Sequence, residues 1–186
     1  MSPHRLPNKL DPASLTCRAL IESPAGSRAK FDLDTDSGLY ELHRVLPAGL
    51  AFPLDFGFVP STLGEDGDPL DILVLSEAVL PVGCMVTARL LGVLEAEQTE
   101  EVDGRPNTVR NDRIVARLEQ SFAFRNVDRL DQLGASFAEE IQRFFEAYND
   151  LRGNRFKVVA VSGPDRAVEL IRQGAAKPEK GAPSGD

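Results

Sequence analysis

Hydrophobic positions between Leu15 and about Leu94 fall in short runs: CRALIE (17–22), KFDLD (30–34), LYELHRVL (39–46), DILVLS (71–76) and CMVTARLLGVL (84–94). Gly, Pro and Asp turns separate them, which is the signature of short strands. So many short strands in sequence predict a strongly bent sheet or small barrel, with TDSG (35–38) as the hairpin turn between the second and third runs. The period then lengthens. In SFAEEIQRFFEAYNDLRG (136–153), Phe137, Ile141, Phe144, Tyr148 and Leu151 share one helical face. Ser136 and Glu139 have capping-box spacing, and Gly153 is the expected stop. RFKVVAVS (155–162) reads as a last strand, followed by a helix after Pro164 with Ala167, Leu170 and Ile171 inward and Gly174 ending it. With no internal repeat, the fold class is α+β, a β-rich body carrying C-terminal helices.

Composition narrows the class. A chain of 186 residues with 42% hydrophobic residues can bury a real core in one domain. We assign that domain to 15–174, with a Pro-punctuated polar extension at 1–14 and a disordered tail at 175–186; both ends are expected to be loose and to carry no chemistry. The net charge of −8 opposes nonspecific attraction to nucleic acid or an anionic membrane, so neither is expected as a partner. Cys17 and Cys84 lack metal-ligand spacing and suggest no disulfide framework. With no signal-peptide or membrane-span pattern, a soluble cytoplasmic protein is expected.

The candidate chemistry sits in GEDGDPLDILVL (64–75). An extended Asp66-Gly67-Asp68 would put two carboxylates on one side, and Pro69 turns the chain before Asp71 opens a strand. Three acids in a small volume repel unless a divalent cation keeps them ionised, and oxygen-only ligands favour Mg²⁺, Mn²⁺ or Ca²⁺ over Zn²⁺. The alternative is a solvated acidic turn. Against it, Asp71 starts a strongly apolar strand, and the preceding AFPLDFGFVPSTL (51–63) is too aromatic for an ordinary exposed loop. DLDTDSGLYELH (32–43) echoes a calcium loop but has Ser37 where Gly is required and His43 where the closing Glu belongs. No phosphate-binding or dinucleotide loop is present, and His43, alternating with Leu42, reads as a structural or surface histidine.

D-G-D-P-L-D at 66–71, together with AFPLDFGFVPSTL, IESPAG (21–26) and FFEAY (144–148), resembles the soluble family I inorganic pyrophosphatases, from about Leu15 to about Ala160. The resemblance implies a five-stranded OB-like β-barrel with flanking helices, Mg²⁺ dependence, hydrolysis of pyrophosphate to two phosphates, and assembly as a homo-oligomer. By position it implies Asp66 and Asp71 as metal ligands and Asp68 as acceptor of a proton from the attacking water. It also implies Glu22 and Asp32 as acids near metals that arrive with substrate, and Lys30, Arg44, Arg113 and Tyr148 as phosphate holders. Two other readings stay open: a hydrolase of the same fold acting on another phosphoanhydride, and a noncatalytic metal or anion binder. The retained Asp68 argues against the last, since binding needs no base.

The chain also departs from that pattern. The segment EAEQTEEVDGRPNTVRNDRIVAR (95–117) is longer than the family's hairpin and places Asn111 where an Asp ligand is usual. Asp112, one residue on, is expected to take that metal position through a register shift or bulge, because strand neighbours otherwise face opposite ways. Glu97 is the acid nearest a second usual ligand, although Gln98 aligns more closely. Asn149 stands where a phosphate-binding Lys is usual, and Phe52 and Phe56 replace tyrosines. Position 149 is therefore expected to limit substrate affinity.

Overall fold

The short apolar runs close on one another. In the computed structural model, which describes residues 3–176, the strands are β1 (Thr16–Ser23), β2 (Ala29–Leu33), β3 (Tyr40–Val45), β4 (Asp55–Phe58), β5 (Asp71–Leu75), β6 (Met85–Val102), β7 (Arg105–Arg110), β8 (Arg113–Leu118) and β9 (Arg155–Ser162). The helices are α1 (Ala135–Asp150) and α2 (Pro164–Ala176). Pairing runs β1–β4–β5–β8–β6, and β6 pairs again with β1, so five strands form a closed ring. This is the OB-like arrangement expected; closure leaves no free edge. β6 is long enough to leave the ring, where it pairs with β7 and β9. β2 and β3 form a separate hairpin.

Alternation along the ring strands feeds two cores. Ile72 and Val74 of β5, with Ile114 and Ala116 of β8, join Ala167, Val168, Leu170 and Ile171 of α2 in one cluster. Leu73, Leu75 and Val115 turn the other way, onto the aromatic side of α1 with Phe144, Phe145 and Tyr148. Gly57 makes the β1–β4 contact possible: a Cβ there would meet the Leu20 carbonyl oxygen at 1.8 Å.

Several local expectations are corrected. AFPLDFGFVPSTL is not merely a flank, since its middle forms β4. Helix α1 starts at Ala135 with Gly134 as N-cap and no side-chain cap, so Ser136 lies inside the first turn and does not form the box. Leu151 falls beyond the last helical residue, loses the helical period and is 47% exposed. Helix α2 continues through Gly174 to Ala176, while the expected disordered tail from 177 onward lies outside the described residues. The N-terminal segment is tied down: Ser61 N–H donates to the His4 carbonyl at 2.7 Å, and Arg18 N–H to the Asn8 carbonyl at 2.7 Å. Its Leu10 packs on the α2 core. Among the described residues no helix is long and apolar enough to cross a membrane.

Candidate active site

The main cavity, about 680 Å³, opens where β5 begins, between the β2–β3 hairpin, the β6–β7 hairpin and the end of α1. Its acidic floor comes from the turn before β5. Asp66 Oδ1 accepts the Asp68 N–H at 3.2 Å, and the Asp68 carbonyl accepts the Gly64 N–H at 2.7 Å. Gly67 has φ of +95°, a left-handed conformation suited to Gly. The loop is therefore a tight bend, not the extended segment expected, yet Asp66, Asp68 and Asp71 all line the cavity.

The second wall is β2–β3. Lys30 Nζ contacts Asp32 and lies 3.8 Å from Glu22 Oε2. His43 Nδ1 is 3.0 Å from Asp32 Oδ2. A bulge between Lys30 and Phe31 makes His43 the extra residue of β3, which explains its appearance on the cavity wall against the expectation of a bystander. Arg44 pairs across from Lys30 in register, but its side chain is not part of the lining. Tyr148 lines the cavity from α1, its ring stacked on Phe144 at 6.0 Å.

The third wall follows from strand alternation. Gln98 and Glu100 of β6 face the cavity, as do Asn107 and Val109 of β7 and Asn111 beyond it, whereas the residues between them face away. Asp112 is not part of that lining; it lines an adjoining cleft of about 100 Å³ beside α2, which Asp66, Asp71 and Asn111 also line, and its Oδ1 accepts Ala96 N–H at 2.8 Å and Arg110 Nη2 at 2.7 Å. Its Oδ1 is thus engaged by Ala96 and Arg110 and it stays out of the main cavity. Asn111 takes the cavity position, donating from Nδ2 to Gln98 Oε1 at 3.1 Å. The wall opposite the aspartates thus carries an amide pair. Arg113 binds both Asn111 Oδ1 and Asp71, and its guanidinium lies over Phe145 at 4.8 Å and Phe156 at 5.5 Å.

The acids are held at an electrostatic cost. Burial, with some contribution from Asp71 and Asp32, pushes Glu22 up to about 7 despite Lys30. Asp66 is exposed to the cavity, but desolvation by the surrounding chain and then Asp71 push it up to about 6. Burial also raises Asp71, against the pull of Arg113 and Lys30. Lys30 is disfavoured as a cation by burial, but Glu22 and Asp32 outweigh this and raise its affinity for the proton. As the side chains stand, no three acidic, His or Cys groups among the described residues converge into a metal cage. Lys30 and Arg113 occupy the carboxylates instead. Still, a group of cavity carboxylates whose surroundings resist ionisation, all with oxygen donors, fits hard divalent cations, whose charge would reverse those shifts.

Sequence reasoning missed His4 as a lining residue, because it lies in the segment read as loose. It also misplaced Asn149. That side chain is 1% exposed and donates back to the Phe145 carbonyl at 2.8 Å, outside the cavity lining; Arg152, one turn later, lines the cavity.

Comparison with known proteins points to one family. The family model described as inorganic pyrophosphatase matches residues 19–178. An inorganic pyrophosphatase of Campylobacter jejuni is 34% identical over 169 residues, 90% of this chain and 91% of its own length. One from Thermus thermophilus is 36% identical over 165 residues, 87% and 90% of the two chains. A crystal structure of the inorganic pyrophosphatase from Thermus thermophilus superposes with a TM-score of 0.83 at 33% identity, covering 95% of this chain and 98% of that one.

Proposed function

We propose, because the chain belongs to the inorganic pyrophosphatase family, that this cavity hydrolyses pyrophosphate to two phosphates with the help of hard divalent cations, Mg²⁺ foremost. The observation that carries the reading is the meeting of Glu22, Asp66, Asp68 and Asp71 with Lys30 and Arg113 in one cavity. Neither set alone would serve. Carboxylates without cations would repel a polyanion, and cations without carboxylates would bind it without a proton acceptor.

When bound, divalent cations supply charge that neutralises the polyanion and polarises water. The chain provides the rest. Asp66 and Asp71, with Glu22 and Asp32 across the cavity, are the groups that would hold those ions. Asp68 receives the proton as the water oxygen bonds to phosphorus and the bridging P–O bond breaks. Lys30, Arg113 and Tyr148 hold the two phosphates, and the negative charge on the leaving phosphate falls among the cations.

The direct test is phosphate release from pyrophosphate, tripolyphosphate and ATP, each with Mg²⁺ and with excess chelator. We expect release from pyrophosphate with Mg²⁺, loss with chelator and recovery when Mg²⁺ is restored. Ca²⁺ should substitute poorly because its looser coordination polarises water less. Undiminished release in excess chelator would end the metal assignment, and a preference for tripolyphosphate would favour the other phosphoanhydride reading.

The amide wall yields a separate prediction. Asn111→Asp should lower the Mg²⁺ concentration required for half-maximal activity by about 10-fold, as a carboxylate replaces an amide facing the cluster. Asp112→Asn should leave that requirement nearly unchanged and instead weaken the Ala96 and Arg110 contacts, seen as a lower Tm. Metal titrations and thermal melts of both variants check the ranking.

A further inference from the structure

The cations of the cavity are not equally available. Lys30 is committed to Asp32 and lies close to Glu22, and Arg113 is committed to Asp71. Arg152 also lines the cavity, but among the described residues its side chain has no carboxylate partner. An exposed guanidinium left unpaired in an acid-rich cavity is free to bind an anion.

Its position is fixed by the end of α1. Arg152 N–H donates to the Asn149 carbonyl at 2.8 Å, and Asn154 N–H to the same carbonyl at 3.1 Å. Gly153 takes φ of +74°, which turns the chain sharply into β9. The buried Asn149 amide anchors this turn through Phe145. Arg152 comes four positions after Tyr148, two beyond Asp150, the last residue of α1. Downstream, Arg155 pairs with Thr99, next to the Glu100–Asn107 pair of the long hairpin. Arg152 therefore reaches the cavity from the turn after α1, in the same lining as Tyr148 and Asn107.

We propose that Arg152 is a substrate-binding residue that holds the outer phosphate of the phosphoanhydride from the turn after α1. It supplies there the cation that position 149, turned into the protein, does not. Asn149 then has a structural task, and adding a lysine at that site would bury an ammonium without reaching substrate. Glu100, also in the lining, opposes the anion and makes the guanidinium more necessary. The inference rests on the reading of the cavity as a phosphoanhydride site.

The test compares the parent protein with Arg152→Gln, Arg152→Lys and Asn149→Lys. Steady-state kinetics with pyrophosphate are combined with direct binding of the non-hydrolysed analogue imidodiphosphate in Mg²⁺. Arg152→Gln should raise KM and the analogue Kd by roughly 10- to 100-fold, the loss of one charge-assisted hydrogen bond, with kcat within about threefold. Arg152→Lys should recover part of that loss, and Asn149→Lys should not tighten either value. Unchanged analogue affinity in Arg152→Gln, or tightening in Asn149→Lys, would overturn the inference. If the parent releases no phosphate from pyrophosphate, the functional reading fails instead, and the analogue Kd still reports separately on Arg152. Because Arg152 is exposed and unpaired, the Gln variant should fold with the parent Tm.

Discussion

Asp68→Asn should lower kcat for pyrophosphate by about 10²- to 10⁴-fold, the range for loss of a general base, while divalent-cation affinity stays close to that of the parent. The division of labour within the acidic turn is the reason. The main chain of Asp68 is fixed by Asp66 Oδ1 and Gly64 N–H, whereas its carboxylate makes no ion pair among the described residues and faces the cavity. A carboxylate with a fixed backbone and an unengaged head can accept a proton at a set place. The asparagine retains size and backbone but cannot take a proton. Calorimetric titration with Mn²⁺, alongside kinetics in saturating Mg²⁺, separates the two effects. A loss of metal affinity as large as the loss of turnover would show that Asp68 is primarily a ligand.

Much of the fold could be read from the sequence because β1, β5 and β6 carry apolar runs bounded by turn residues, continuous in β5, and because the aromatic residues of α1 recur at helical spacing. The shortest strand, β4, escaped because its four residues include Asp55 and Gly57, which read as turn residues although all four are buried. Capping was misread for a different reason. Ser136 and Glu139 have the right spacing, but the chain enters α1 through Gly134, a constraint set by the preceding 3₁₀ turn at Leu130–Leu133 and invisible to a local motif.

The site was legible where a motif fixes a tight turn and less so where it depends on strand phase. Asp66, Asp68 and Asp71 come together even though their backbone differs from the extended form expected, because the turn is closed by its own side chain. The choice between Asn111 and Asp112 required the register of β6 against β7, in which Glu97 pairs with Arg110 and Gln98 with Val109. Only that register shows which residues of a long hairpin share the cavity face. A helix end presents the same difficulty: Asn149 is still within α1 but turned from the cavity, whereas Arg152 lies beyond Asp150, where the period that places Tyr148 no longer applies.

Asp71 and Arg113 should respond to substitution with opposite signs for metal and the same sign for substrate. Asp71→Asn removes a carboxylate from the centre of the cluster, so metal affinity should fall by at least about 10²-fold and kcat/KM should fall with it. Arg113→Gln instead removes the chain's own counter-ion from that carboxylate. The guanidinium contacts Asp71 directly and is confined between the Phe145 and Phe156 rings, so it competes with any divalent cation for the same oxygens. Without it, Asp71 is a buried charge with only Lys30 nearby, and Mn²⁺ affinity should rise by roughly 10-fold even as the KM for pyrophosphate rises through loss of a phosphate-holding group. Stability supplies an independent readout. Arg113→Gln should melt below the parent without metal and recover with increasing Mn²⁺, because a ligand that binds only the folded state stabilises it by mass action. Metal-dependent melting curves and calorimetry on both variants decide the matter. Weaker Mn²⁺ binding in Arg113→Gln would mean that the guanidinium positions Asp71 for metal, and that its contact with the carboxylate supports binding where we expect it to compete.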